Sequence, residues 1–292
     1  MKKNRSETGA ACDGTPPAAG AGPLGLVAGG GQFPLLCARA ARARGREVVA
    51  VAHRGETDPA LADEVSRIEW VHLGQLGRLL RFLREAGARE VQFAGTITKK
   101  RIFRDVRPDL RALNLWNRID RRLDDGILRA VADELAAEGI EVVPSTLYLE
   151  DLLAPAGVLT RRRPTREQWD DIRFGWNIAK EIGRLDIGQC LVVKDRAVLA
   201  VEAIEGTDET IRRGGRLAHG GAVVVKILKP GQDTRFDLPA LGLRTVETMA
   251  EVKAAVLALE AGRALFFDRR AVVQRADRLG IVIVGLKGDE WT

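Results

Sequence analysis

The chain has 292 residues, 46% hydrophobic and 29% charged, a globular balance that excludes wholesale disorder and suits two α/β domains better than one. Its net charge is +6, yet aromatics make up only 5% and are not interleaved with the arginines, which excludes base-stacking nucleic-acid modules. An anionic membrane surface or a phosphate-bearing ligand remains as the partner of that charge.

The opening "MKKNRSETGAACDGTPPAAGAGP" carries basic residues without an apolar core after them, so residues 1–23 read as a disordered tail rather than a signal peptide. "LGLVAGGG" is a short apolar strand ending in glycines, and "FPLLCARAARARG" is a helix closed by Gly45. "EVVAVAH", "RIEWVHLG", the helix "LGRLLRFLREAG" and the strand "EVQFAGT" follow. A helical stretch from Leu110 to Gly139 leads to the strand "IEVVP". Strands alternating with helices imply a Rossmann-like parallel sheet in an N-terminal α/β domain over 24–150. Residues 151–165, "DLLAPAGVLTRRRPT", have the composition of a linker and suit a hinge on which two domains close over a ligand.

The remaining residues, 166–292, form a C-terminal α/β domain. "REQWDDIRFGWNIAKEIGRLD" is helical, and "GQCLVVKDRAVLAVEAIEG" is two strands around a tight "KDR" turn, which makes this sheet mixed. Then come the helix "TDETIRRGGRLA", the strand "AVVVKIL", the helix "TVETMAEVKAAVLALEAG" and a closing alternation through "ALFF", "RRAVVQRADRLG" and "IVIVG". No run of about eighteen apolar residues exists, so nothing is expected to span a bilayer.

Three scattered cysteines, Cys12, Cys37 and Cys190, form no CxxC pair, and His53, His72 and His219 form no HExxH. A reducing cytoplasm fits this, and a catalytic metal would be a hard cation on carboxylates rather than zinc. Candidate sites sit at strand ends. Gly29, Gly30, Gly31 and Gln32 open the first helix, where a backbone approaches a phosphate; a tight turn that needs glycine is an equally good reading. Gly95 and Thr96, followed by Lys99, Lys100 and Arg101, would face the same crevice or form a solvated basic loop. The leucines of "LGRLLRFLREAG" (Leu76, Leu79, Leu80, Leu83) are expected against a sheet; the alternative lays this helix on an anionic membrane.

In "AVEAIEGTDE", Thr207 or Asp208 would cap a helix after Glu205, but Glu202 lies inside apolar alternation, where an acid needs a partner or a metal. The densest stretch is "KPGQDTRFDLP". Lys226, Lys229 and Arg235 supply cations, Gln232 a neutral group, and Asp233 and Asp237 acidic oxygens between stiffening prolines. Such a loop suits a phosphate and its counter-ion metal together.

The segments "LGLVAGGGQFP", "DIGQCLVV", "AVLAVEAIEGTDETIRRG", "VVVKILKPGQDTRFDLPALGLRTVE" and "DRRAVVQRADRLGIVIVG" resemble the UDP-2,3-diacylglucosamine pyrophosphatases of the LpxI family, over nearly all of 24–285. The resemblance implies a cytoplasmic enzyme of lipid A assembly, peripheral to the anionic inner membrane, with its ligand bound between two domains. It implies Mg²⁺-dependent hydrolysis of UDP-2,3-diacylglucosamine to UMP and 2,3-diacylglucosamine 1-phosphate, with water attacking the β-phosphorus. Asp233 becomes the foremost acid for metal binding or water activation, beside Lys229 and Gln232. Glu202, Glu205 and Asp208 are lesser metal candidates. Gly29, Gly30, Gly31, Gln32, Gly95, Thr96, Thr207, Lys226 and Arg235 are the expected substrate contacts. Nucleic acid is not an expected partner, and a homodimer is among the assemblies the chain allows. Two other classes stay open at this point: a non-catalytic sugar-nucleotide or lipid-binding protein, and a dinucleotide oxidoreductase. The missing GxGxxG and ribose acid count against the latter, since His53 and Arg54 end the second strand.

Overall fold

The computed structural model describes residues 22–97, 106–116, 126–236 and 238–288. Its N-terminal half is a five-stranded, wholly parallel sheet. The strands are β1 (Leu24–Ala28), β2 (Val48–His53), β3 (Arg67–Val71), β4 (Glu90–Ala94) and β5 (Glu141–Val142), in spatial order β3-β2-β1-β4-β5. Ala28 pairs in register with both Ala52 and Ala94, so three strand ends meet at one level. The central strands are buried on both faces, which is why β1, β2 and β4 read as continuous apolar runs rather than alternating ones.

Helices α1 (Phe33–Ala43), α2 (Leu76–Glu85), α3 (Leu110–Trp116) and α4 (Gly126–Ala137) cover this sheet. In α2 the residues Leu76, Leu79, Leu80, Phe82 and Leu83 are all buried with Val51, Val71 and Val91. Its apolar face is therefore spent on the sheet and cannot also insert into a membrane. The helical stretch expected from Leu110 to Gly139 is helix over Leu110–Trp116 and Gly126–Ala137, and residues 117–125 lie outside the described residues.

The C-terminal half is a six-stranded mixed sheet. Its strands are β6 (Gly157–Val158), β7 (Cys190–Lys194), β8 (Ala197–Val201), β9 (Val223–Lys226), β11 (Val256–Glu260) and β13 (Val282–Leu286), in order β6-β13-β11-β9-β7-β8. β9, β11 and β13 run parallel; β6 pairs antiparallel with β13, and β7 pairs antiparallel with both β9 and its hairpin partner β8. The "KDR" turn is a two-residue loop with Asp195 and Arg196 both left-handed, at φ 52° and 55°. The buried carboxylate of Asp171 accepts both of their N–H groups, at 3.1 and 2.6 Å.

One face of this sheet is covered by α5 (Arg166–Arg184), started by a reciprocal Thr165–Gln168 capping box. The other face carries α6 (Thr207–Ala218), α7 (Leu243–Glu251) and α8 (Arg269–Leu279). The segment expected as one helix, "TVETMAEVKAAVLALEAG", is helix only to Glu251 and then becomes β11, a central strand. Its Val256, Leu257 and Leu259 are buried from both sides, and a short apolar run of that kind does not distinguish strand from helix by periodicity.

Ala240–Leu241 (β10) and Leu265–Phe266 (β12) pair as a small parallel sheet, and Leu153 bridges to Leu265. A shared core packs Leu24, Leu26 and Phe33 with Tyr148, Leu228, Leu238 and Leu265. The expected linker is partly stitched into the second sheet: Ala154 N–H donates to Ala264 O, Leu159 N–H donates to Ile283 O, and β6 pairs with β13.

Candidate functional site

Both sheets end in the same region, and the space left there is a cleft of about 450 Å³. Pro144 and Thr146, beyond the end of β5, form its N-terminal wall. Leu228 to Gln232 and Thr234 of the loop after β9, Lys180 of α5 and Arg263 after β11 form most of the rest, while Asp233 stands beside the cleft rather than on its lining. Ligand clefts between domains and beyond the carboxyl ends of parallel strands are the common arrangement in α/β proteins.

The loop "KPGQDTRF" is held by both domains. The guanidinium of Arg129 on α4 donates to Gly231 O at 2.8 Å, and Gly231 turns the chain at φ 81°. Phe236 buries its ring edge-on against Phe93 of β4, with centroids 5.3 Å apart. Lys229 and Gln232 close a local ring: Lys229 N–H donates to Gln232 Oε1 at 3.2 Å and Gln232 N–H to Lys229 O at 3.0 Å. The Lys229 ammonium pairs with Asp186.

Asp233 is gripped by Arg235. The guanidinium donates to Oδ1 at 3.0 Å and to Oδ2 at 2.7 Å, and the Arg235 backbone N–H adds a bond to Oδ1 at 3.1 Å. These bonds hold the Asp233 carboxyl below its ordinary range and raise the Arg235 guanidinium in turn. Asp237 lies outside the described residues, as do Lys99, Lys100 and Arg101.

The other candidate acids each have a protein partner. Glu202 is buried and accepts from Thr207 Oγ1 at 2.8 Å and Gln189 N–H at 3.3 Å. Thr207 is thus the first residue of α6 and supports Glu202, while Gly206 takes the cap position without a side-chain bond. Glu205 pairs with Arg213, and hydrogen bonds from its own backbone N–H and then from the Arg213 guanidinium keep its carboxyl low. Asp208 pairs with Arg244 at 2.6 Å. Among the described residues no three His, Cys, Asp or Glu gather into a metal-sized group. Among the described residues the donor set therefore does not fit a hard cation as it stands, because Asp233, Glu202, Glu205 and Asp208 are each engaged by a guanidinium or by N–H and O–H donors. Lys226, at the end of β9, is buried with its ammonium on Ala240 O at 3.0 Å.

The glycine turn has a backbone explanation. Gly29 N–H donates to Ala94 O at 2.8 Å, and Gly30 and Thr96 exchange bonds of 2.7 and 3.1 Å. A Cβ on Gly29 would stand 2.6 Å from Thr96 O, and one on Gly95 would stand 2.5 Å from Gly30 O. The loops after β1 and β4 touch backbone to backbone, and Gln32 stays exposed at the start of α1. His53 is tied to Ala28 O at 2.9 Å, and burial lowers its imidazole.

Sequence reasoning missed Lys180, Arg263 and Glu260. Glu260 ends β11 almost fully buried, the same signal that singled out Glu202: an acid closing an apolar run. It went unread because that run was taken as helix.

A model of the LpxI N-terminal domain matches residues 23–152, and one of the LpxI C-terminal domain matches residues 155–284. The UDP-2,3-diacylglucosamine pyrophosphatase LpxI of Caulobacter vibrioides is 38% identical over 278 residues, 91% of this chain and 98% of that protein. Among solved structures, the biotin carboxylase domain of a single-chain bacterial carboxylase aligns over 55% of this chain and 34% of that one, at 19% identity and a TM-score of 0.25. A second, the Hydrogenobacter thermophilus 2-oxoglutarate carboxylase biotin carboxylase domain, aligns over 60% and 35% respectively, at 16% identity and a TM-score of 0.26. Overlaps that loose carry no argument, whereas two family domains in order and a relative matched almost end to end do: the chain belongs to the LpxI family.

Proposed function

We propose that this protein hydrolyses the pyrophosphate of UDP-2,3-diacylglucosamine, releasing UMP and 2,3-diacylglucosamine 1-phosphate. The observation that carries the reading is the 38% identity, over 98% of its length, to a relative named for that activity. The cleft supports it chemically. Lys180, Lys229 and Arg263 border one space with the neutral donor Gln232, and cations there offset charge as a P–O bond breaks.

In this reading water adds its oxygen to the β-phosphorus and the bond to the bridging oxygen breaks. UMP departs with that oxygen, and the water protons pass to solvent. Asp233 orients or activates the water once Arg235 turns from it to a phosphate oxygen, an exchange of one bidentate anion partner for another. Mg²⁺ dependence is part of the proposal even though the described carboxylates form no ready site, because the substrate pyrophosphate itself offers oxygen ligands; activity that survives exhaustive EDTA treatment removes it.

The enzyme would meet its lipid at an anionic inner-membrane surface from the cytoplasmic side, held by charge rather than by a spanning helix. No helix of the described residues is long and apolar enough to cross a membrane, and the chain carries a net charge of +6. Flotation with anionic vesicles that is lost at high salt is the expected result; no flotation at low salt removes the attachment. The defining test is incubation of purified protein with UDP-2,3-diacylglucosamine in H₂¹⁸O. Label should enter the sugar phosphate and not UMP. Absence of UMP above the chelator control would leave a non-catalytic binding protein instead.

A further inference from the structure

The strongest unassigned cluster lies at the floor of the cleft. Glu260, the last residue of β11, has a side chain only 2% exposed. Its Oε2 accepts from the ammonium of Lys180 at 2.7 Å and from Leu228 N–H at 2.9 Å, and Arg263 stands 3.7 Å from its Oε1. Lys180 lies one turn before the end of α5, above the ring of buried Trp176, and also donates to Leu228 O at 3.3 Å. We propose that Lys180 is a contact for a substrate phosphate, and that Glu260 is a positioning residue that aims it and fixes the root of the charged loop.

A buried ion pair is a poor way to gain stability, since an apolar pair of similar volume commonly does as well. This pair is not sealed. The Lys180 side chain is 17% exposed and borders the cleft beside Lys229 and Arg263. Of the three ammonium donors, Glu260 and Leu228 O engage two. One carboxylate oxygen thus ties together α5, the end of β11 and Leu228, which opens the loop that carries Lys229 and Asp233. That is the arrangement expected where a cation must be held in place before an anion arrives.

The inference rests on the hydrolase reading, so its test includes a measurement that does not need turnover. Lys180→Met alone would strand the Glu260 charge and destabilise the protein. The decisive variant is therefore Lys180→Met/Glu260→Gln, which removes both charges and leaves an amide oxygen for Leu228 N–H. It should melt close to the wild type, lose on the order of a hundredfold in kcat/KM, and bind inorganic pyrophosphate about tenfold more weakly by calorimetry. A merely structural pair predicts the opposite: wild-type kinetics and pyrophosphate affinity once both charges are gone. That result would overturn the proposal. Should the double variant not fold, Lys180→Arg keeps Glu260 paired. A several-fold change in KM and pyrophosphate affinity at constant melting temperature is then expected, and unchanged values would overturn it. If the wild type released no UMP, the hydrolase reading would fall, while the pyrophosphate titrations would still decide whether Lys180 meets phosphate.

Discussion

The glycine turn after β1 and the charged loop after β9 occupy equivalent places, each at the carboxyl edge of its sheet, yet they are held by different means. Gly29, Gly30 and Gly95 are fixed by backbone hydrogen bonds and by the room that a missing Cβ leaves. The loop from Leu228 to Phe236 is fixed by side chains: Glu260 at its root, Arg129 at its bend, Arg235 on Asp233 and Phe236 in the other domain's core. A backbone-built turn tolerates almost no substitution but contributes little chemistry. A loop built from side chains can exchange partners when a ligand enters, as catalysis requires.

The largest expected effect follows from that contrast. Asp233→Asn keeps an acceptor for the Arg235 N–H but removes the charge, so it should stay folded and lose on the order of a hundredfold or more in turnover. Near-normal rates in the assay for UMP would reduce Asp233 to a brace for Arg235. The pH profile sharpens the point. Because the carboxyl is depressed in the folded state, chiefly by Arg235, its stabilising pair is present above the ordinary Asp range, about pH 4, and is lost as pH falls through the depressed value. Thermal melts of Asp233→Asn should lack that acid-limb component.

Phe236→Ala comes next. Deleting a buried Phe ring costs about 3–5 kcal/mol where the site cannot collapse. Here the loss falls on the attachment of the loop to the N-terminal domain, so KM should rise about tenfold more than the melting temperature alone explains. A variant with reduced stability and unchanged KM would show that the loop does not need its anchor.

The glycines then separate space from torsion. Gly95→Ala combines φ 89° with a Cβ 2.5 Å from Gly30 O, and should cost about 3 kcal/mol or more. Gly31→Ala meets only a φ of 86° in open space and should cost about 1–2 kcal/mol. Equal losses of melting temperature would mean that the two loops do not press on each other.

Much of the parallel sheet was legible in sequence because its strands are buried on both faces and read as short apolar runs between glycines and helices. The mixed character of the second sheet was legible from the "KDR" turn alone. What stayed hidden is what one-dimensional pattern does not carry. "VLALEAG" has the apolarity of a helix or a strand, and only its seat between β9 and β13 decides, so Glu260 went unnoticed with it. Lys180 sits on an amphipathic helix like many surface lysines; nothing nearby in sequence marks the carboxylate 80 positions away that holds it. The charged loop was recognised, but its partners Arg129 and Phe93 come from the other domain, and pairing across domains is a property of the fold.

The smallest effect sets the two regions side by side without touching either. Cys37 lies in α1, the helix that follows the N-terminal glycine turn, and Cys190 begins β7, the strand beside edge strand β8, and both are buried. Burial pushes the Cys37 thiol up to about 12, and the Cys190 thiol is also raised, chiefly by burial. At pH 8 neither is a thiolate in the native state, so labelling requires each region to open. In a Cys12→Ser variant, both thiols should react far more slowly than a free cysteine, and each rate should report local opening. Cys37 is braced by its bond to Ser145 O in the core that both halves share, and Cys190 by the hairpin and α6. Pyrophosphate should slow Cys190, whose strand pairs with Lys226 of β9 just before the charged loop, more than Cys37. Equal protection of both would mean that ligand stiffens the molecule as one body, and the contrast between a rigid turn and an exchangeable loop would be lost.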